Sequence, residues 1–289
     1  MAGRNDSQQQ RASAVKNQIK ALAIASCIAG FFTSAPLFAE TPVQAPHAEA
    51  KDIEQLAQAT EKKADEKNVL EVAPFVAEYD VETNALPISG SGVRSLKSLG
   101  DGRYRLEQVA KSFLLTRREI SEFKMDHCDI KPTSYRYEQS GIGRDKRHLI
   151  DFNADGKTAI FEENKHKSVI ELPENQHYDR LSETMVLQCK LLERRLNGEG
   201  NTPDSPPLSI DIIDKESLRT HDFVVIGEET IKVNDTEMKT LRVERQRDNE
   251  DRQTIMWFAP GQTFTLVKLE QINKGKSVTL ELNSIKQVF

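Results

Sequence analysis

From Pro74 onward, apolar and polar residues alternate with a period of two, and tight-turn residues break the pattern about every ten positions. Leu208, Ile210 and Ile212 alternate with Ser209 and Asp211, and Val278, Leu280 and Leu282 alternate with Thr279, Glu281 and Asn283. Side chains on a strand point to opposite faces in turn, so this pattern specifies strands with one buried and one wet face. The turns fall at Gly100-Asp101-Gly102, Asn153 to Gly156, Asn234-Asp235, Asp248 to Asp251, Pro260-Gly261 and Asn273-Lys274-Gly275. Connections this short join antiparallel neighbours, because a parallel pair needs a crossover of a dozen residues or more. The expected fold is therefore mainly all-β, an antiparallel sheet of about fourteen strands, and a sheet that large curls or partly closes into a barrel.

One segment departs from this period. Leu181, Met185, Cys189, Leu192 and Leu196 recur at helical spacing, with Asp179 placed to cap the start and Gly198 to end the last turn. A single amphipathic helix over about 179–196 must lay this stripe on an apolar surface, and the concave side of the sheet is the one available. The loop Asn201 to Pro207 then returns the chain to strands.

The N-terminus has a different character. Arg4, Arg11, Lys16 and Lys20 precede an apolar stretch from Ala21 to Phe38, and Ala39 offers a small residue for cleavage. Residues 1–39 read as a cleaved secretory signal, which places the product in the periplasm of a bacterial-type envelope. The stretch is too diluted by Ser26, Gly30, Thr33, Ser34 and Pro36 to span a bilayer. The run Ile24-Ala25-Ser26-Cys27 also resembles a lipobox, so a lipoprotein anchored at Cys27 is the minor alternative. Residues 40–72 are rich in Ala, Gln, Glu and Lys with few apolar anchors, and read as a flexible polar tether. Residues 73–289 then form a single β domain.

Charge limits the partners. Removing residues 1–39 takes four basic and one acidic residue from a chain with 40 Lys+Arg and 45 Asp+Glu, leaving 36 against 44. An acidic product argues against nucleic acid and against docking on anionic lipid through net charge. Cys128 and Cys189 remain after cleavage. An oxidising compartment permits a bridge between them, and an unpaired structural pair fits the sequence as well.

Several features together resemble a known family: Tyr79 on the opening strand, Gly90 to Gly92, Gly100 to Tyr104, and Pro132 before Tyr135-Arg136-Tyr137. Asp179-Arg180-Leu181-Ser182, Gly227 with Glu229, and Trp257-Phe258-Ala259-Pro260 follow in order. Over about residues 73–289 the chain resembles the exported bacterial family numbered 3108 among domains of unknown function. The resemblance implies an envelope protein built on an antiparallel sheet, and it brings no established activity. The motif residues shared with that family are Tyr79, Asp179, Leu181, Ser182, Gly227, Glu229, Trp257 and Pro260.

No constellation of residues specifies a catalytic site. His177, Asp179 and Ser182 have the residue types of a hydrolase triad, but no nucleophile-elbow pattern surrounds the serine, and helix capping explains Asp179 with Ser182 in the first turn. Asp126-His127-Cys128-Asp129 lack metal spacing and read as a polar hairpin end. Glu228 and Glu229 project to opposite sides of a strand, so they cannot flank one bond, though one of them can pair with Asp211, Asp214 or Arg242. Gly141-Ile142-Gly143, near Arg144, Lys146 and Arg147, is a loop and not a phosphate cradle. Neither a metal nor a cofactor is implied. The leading expectation is a non-catalytic envelope protein that binds an apolar or lipid-like ligand against Leu181, Met185, Leu192, Trp257 and Phe264. An envelope scaffold that binds a protein partner is the alternative, and a hydrolase of envelope polymers the remote one.

Overall fold

The computed structural model describes residues 72–85, 89–143, 145–249, 251–261 and 263–287. The signal, its cleavage point, Cys27 and the tether up to residue 71 lie outside the described residues. Among the described residues, fifteen strands and one helix follow in chain order. The first group is β1 (Phe75–Thr83), β2 (Gly90–Gly100), β3 (Arg103–Ser112), β4 (Leu115–Asp126), β5 (Asp129–Gly141), β6 (Lys146–Phe152), β7 (Thr158–Glu163), β8 (His166–Glu171) and β9 (His177–Asp179). The helix α1 (Ser182–Leu196) comes next. Then come β10 (Leu208–Asp214), β11 (Ser217–Val233), β12 (Thr236–Arg245), β13 (Arg252–Ala259), β14 (Thr265–Asn273) and β15 (Lys276–Gln287).

All fifteen strands belong to one curved, unclosed sheet in the order β8-β7-β6-β5-β4-β3-β2-β1-β15-β14-β13-β12-β11-β10-β9. The pairings are antiparallel, as expected, with one exception. β9 and β10 run parallel, and they do so where the chain has the crossover a parallel pair requires, namely α1. The first and last strands pair at the middle of the sheet, Phe75 opposite Gln287 through Thr83 opposite Val278. Curvature brings the far ends together: at the β10–β11 turn Glu216 accepts from Ser168 of β8 at 3.0 Å and pairs with His166.

The sheet has two buried clusters, one on each side. Leu96, Leu106, Phe123, Ile130, Tyr135, Ile150, Ile210, Ile212, Phe223, Val243, Met256 and Phe258 face α1. Ala77, Tyr79, Val233, Met238, Ile255, Trp257, Ala259, Val267 and Leu282 form a second core on the opposite side. β13 is buried on both faces, so it reads as an unbroken apolar run rather than an alternation. β11 serves both cores by switching face at a bulge between Val225 and Gly227. Gly227 sits there at φ +136, in a region that L side chains rarely adopt. Beyond the bulge, the β11–β12 turn reaches β15, where Asn234 Nδ2 donates to the Asn283 carbonyl at 3.0 Å. The expected buried row on β15 is only partly realised: Leu282 is buried but Val278 is 41 % exposed. Val278 lies opposite the last residue of β1, past the end of the second core.

Candidate functional site

The helix stripe lies in the concave face as expected, but more of the helix is buried than the stripe alone. Met185, Cys189 and Leu192 are buried, and so are Val186, Leu187 and Leu191. A helix placed inside a curved sheet meets side chains on its flanks as well as beneath it. Its α-helical part begins at Ser182, three residues after the expected cap, with Leu181 at the cap position. Asp179 nevertheless supplies the cap. Its Oδ1 accepts the Leu181 and Ser182 amides, both at 2.9 Å, while Ser182 Oγ accepts the Asp179 amide at 3.1 Å. This reciprocal exchange has the logic of a capping box. At the other end Gly198, at φ +73, donates to the Arg195 carbonyl and Glu199 to the Arg194 carbonyl, the Schellman arrangement.

Asp179 is fully buried, and its Oδ2 also accepts from Ser121 Oγ at 2.6 Å and from Ser182 Oγ at 2.8 Å. Burial raises its carboxyl above the ordinary value, against the pull of these hydrogen bonds. Nearby, Arg94 is 4 % exposed and donates to Gln108 Oε1 at 3.0 Å and to Thr184 Oγ1. Burial lowers its basicity, opposed by Tyr79, Glu119 and Asp179. Tyr135 donates to Glu119 Oε2 at 2.6 Å, and burial pushes its hydroxyl upward. These groups form a satisfied polar network beneath α1 that orients the helix on the sheet. Beside it, a cavity of ≈ 30 Å³ bounded by Arg94, Gln188 and Tyr79 has room for a water molecule and no more.

Four of the five residues anticipated to line a ligand surface come together. Leu181, Met185, Leu192 and Phe264 belong to the cluster under the helix, all buried. Phe264 is covered by the Arg195 guanidinium, 4.7 Å from its ring centre. Trp257 does not join them, because the alternation of β13 places it in the opposite core. There its Nε1 donates to Glu229 Oε2 at 2.9 Å, and the Arg242 and Lys268 cations lie 5.8 Å and 5.7 Å from its ring centre. Of the partners considered for Glu228 and Glu229, Arg242 is the one found, with Nη1 3.7 Å from Glu229 Oε2.

The remaining candidate residues separate. His177 Nδ1 bonds to the Asn175 carbonyl at 2.7 Å and does not turn toward Ser182. His127 and Cys128 form the two-residue turn between β4 and β5, and Cys128 is joined by a disulfide to Cys189 in the middle of α1, with their Cα atoms 5.6 Å apart. The bridge ties a hairpin tip to the helix. Among the described residues, no three His, Cys, Asp or Glu side chains group as metal ligands, and no helix is long and apolar enough to cross a membrane.

At the N-terminal end of α1 the concave face opens into a polar mouth that the sequence reading did not single out. Arg180 lies 3.6 Å from Asp214, which also meets Arg219 at 3.8 Å. Glu183 in the first turn pairs with His221 Nδ1. Arg245 continues the inward register of Leu241 and Val243 on β12 and stands opposite Phe223. Arg247 donates to Thr254 Oγ1 at 3.1 Å. Burial and the nearby Arg247 lower the Arg245 guanidinium to about 10. The signal was present in the sequence as a charged residue at a core position of an alternating strand.

No curated protein sequence is similar to this chain. Among solved structures, it resembles a β-barrel-like protein of the domain of unknown function DUF1849 from Brucella abortus. The TM-score is 0.50 at 9 % identity over 76 % of this chain and 99 % of that one. The likeness concerns the fold alone. A putative outer membrane lipoprotein-sorting protein domain from Vibrio parahaemolyticus aligns over 81 % of this chain and 91 % of its own, at 11 % identity and a TM-score of 0.20. The sequence profile described as Protein of unknown function (DUF3108) matches residues 78–283, and the chain belongs to that family.

Proposed function

We propose that the protein is a non-catalytic binding protein of the periplasm in which α1 acts as the plug of a concave apolar face. The observation that carries this reading is the position of Leu181, Met185, Leu192 and Phe264 in one buried cluster between helix and sheet. The helix occupies the volume that the hydrocarbon of a lipid-like ligand would take, so uptake requires α1 to move. The Cys128–Cys189 bridge restrains that movement. Titration with an environment-sensitive apolar fluorophore, with and without reductant, tests the idea: reduction should increase uptake by the folded protein. Absence of uptake in both states, together with no lipid in the mass spectrum of gently purified protein, refutes it.

A second reading, an envelope scaffold, is favoured by the tip of the β3–β4 hairpin, where Phe113 is 95 % exposed. A fully exposed phenylalanine on a turn suits burial against a partner. Photo-crosslinking from position 113 in cells should trap one reproducible protein, and a diffuse set of products would count against it.

A further inference from the structure

Arg245 and Arg247 lie in the polar mouth beside α1 without an ion-paired carboxylate of their own among the described residues. The two acids that act on them, Glu183 and Asp214, are already engaged. Asp214 lies between Arg180 and Arg219, and Glu183 is paired with His221. Instead Arg247 and Arg180 act on Arg245, and Arg252 and Arg180 on Arg247, each like charge making these two guanidiniums harder to hold, while Arg180 itself is held by Glu119, Tyr135, Asp214 and Glu183. Such a cluster is costly unless an anion enters it.

Two atoms indicate where the anion would sit. Arg245 Nε is buried and has no hydrogen-bond partner among the described residues, and the same is true of His221 Nε2. His221 is only 4 % exposed. Its backbone lies next to that of Arg247, because Gln246 donates to the Asp222 carbonyl at 2.8 Å and so sets positions 221 and 247 across from each other. Buried polar atoms are seldom left unpaired, and each one left so costs stability.

We propose that this mouth is a binding site for a phosphate-type oxyanion, held by Arg180, Arg245 and Arg247, with His221 at its base. Guanidinium forks match phosphate oxygens in pairs. His221 selects phosphate over other oxyanions. With Nδ1 directed to Glu183, an Nε2 that carries no proton accepts from the hydroxyl of a monoprotonated phosphate. Sulfate has no such proton at neutral pH. A soluble phosphate and the phosphate head of a lipid share this chemistry.

The site stands independently of the plug reading, since inorganic phosphate probes the mouth alone and an uncharged apolar fluorophore probes the plug alone. Calorimetric titration of the processed protein with inorganic phosphate should give saturable binding. It should weaken at least tenfold in Arg247→Gln, an exposed position where folding is not at risk, and stay unchanged in Arg136→Gln on the outer face. Sulfate should bind at least tenfold more weakly than phosphate. Short-chain phosphatidic acid should compete with phosphate: tighter binding than phosphate identifies a lipid source and equal binding a soluble one, and both support the site. No saturation at tens of millimolar phosphate, equal affinity for sulfate, or undiminished binding in an Arg247→Gln protein with a native melting curve overturns the proposal.

Discussion

Breaking the Cys128–Cys189 bridge tests the frame on which the plug reading rests. The bonded residues are 61 positions apart, and closing a loop of that length removes about 14 cal/mol/K from the unfolded chain, or ~4 kcal/mol at 25 °C on the chain-entropy estimate. Taken as one unfolding unit, residues 73–289 carry an unfolding entropy of about 0.45 kcal/mol/K at roughly 2.1 cal/mol/K per residue. Reduction should therefore lower the melting temperature by roughly 10 °C. The assay is a thermal melt of the processed protein with and without a phosphine reductant, beside Cys128→Ala/Cys189→Ala, which should melt like reduced wild type and ignore the reductant. Hydrogen exchange should rise first in α1, because the bridge is its covalent tie to the β4–β5 turn. A shift below about 2 °C on full reduction, or non-reducing peptide mapping that fails to join the two cysteine peptides, would refute the reasoning.

Other consequences follow from individual contacts. Asp179→Ala strands two amides and two hydroxyls in the interior and should cost roughly 2–4 kcal/mol in urea unfolding. Asp179→Asn keeps an acceptor for the amides and should cost less, and equal losses would argue against the capping role. Met185→Ala should cost about 2–5 kcal/mol for the cavity it leaves, and a loss under about 1 kcal/mol would indicate a loosely seated helix. His148, stacked on Tyr137 at 4.8 Å between ring centres, has its basicity lowered by burial. Its stabilising effect is complete above the ordinary histidine pKa near 6.5 and is lost as pH falls below it, because the unfolded chain takes up the proton first. His148→Phe should therefore lose less stability than wild type between pH 7.5 and pH 5.5, as read from urea midpoints, and parallel losses would refute the assignment. The raised carboxyl of Asp179 acts in the opposite sense. Its ionised form is disfavoured in the fold, so this residue favours folding more as pH falls toward the ordinary carboxylate range.

Much of the architecture was legible in the chain because it is local. Alternation, turn residues and a single 3.6-period stripe specify hairpins and one amphipathic helix, and Gly198 ends α1 where its spacing indicated. The grouping of Leu181, Met185 and Leu192 follows from helical geometry alone. What the alternation could not reveal is which strands are covered on both sides. Trp257 was grouped with the helix-facing residues, but β13 is buried on both faces, and which core a residue of an unbroken apolar run enters depends on register. On β11 the face is switched by the bulge at Gly227, a single-residue event with no periodic signature. The parallel pairing of β9 with β10 was likewise hidden, because a three-residue strand is too short to show a period. The mouth of the concave face is the clearest case. Arg180, His221, Arg245 and Arg247 come from the turn before α1, from β11, and from the end of β12 and the residues just past it, and only the curvature of the sheet brings their charges into one place. The sequence determined that the chain forms a sheet and a helix. The tertiary structure decided what lies between them, because burial and charge proximity are sums over residues distant in the chain.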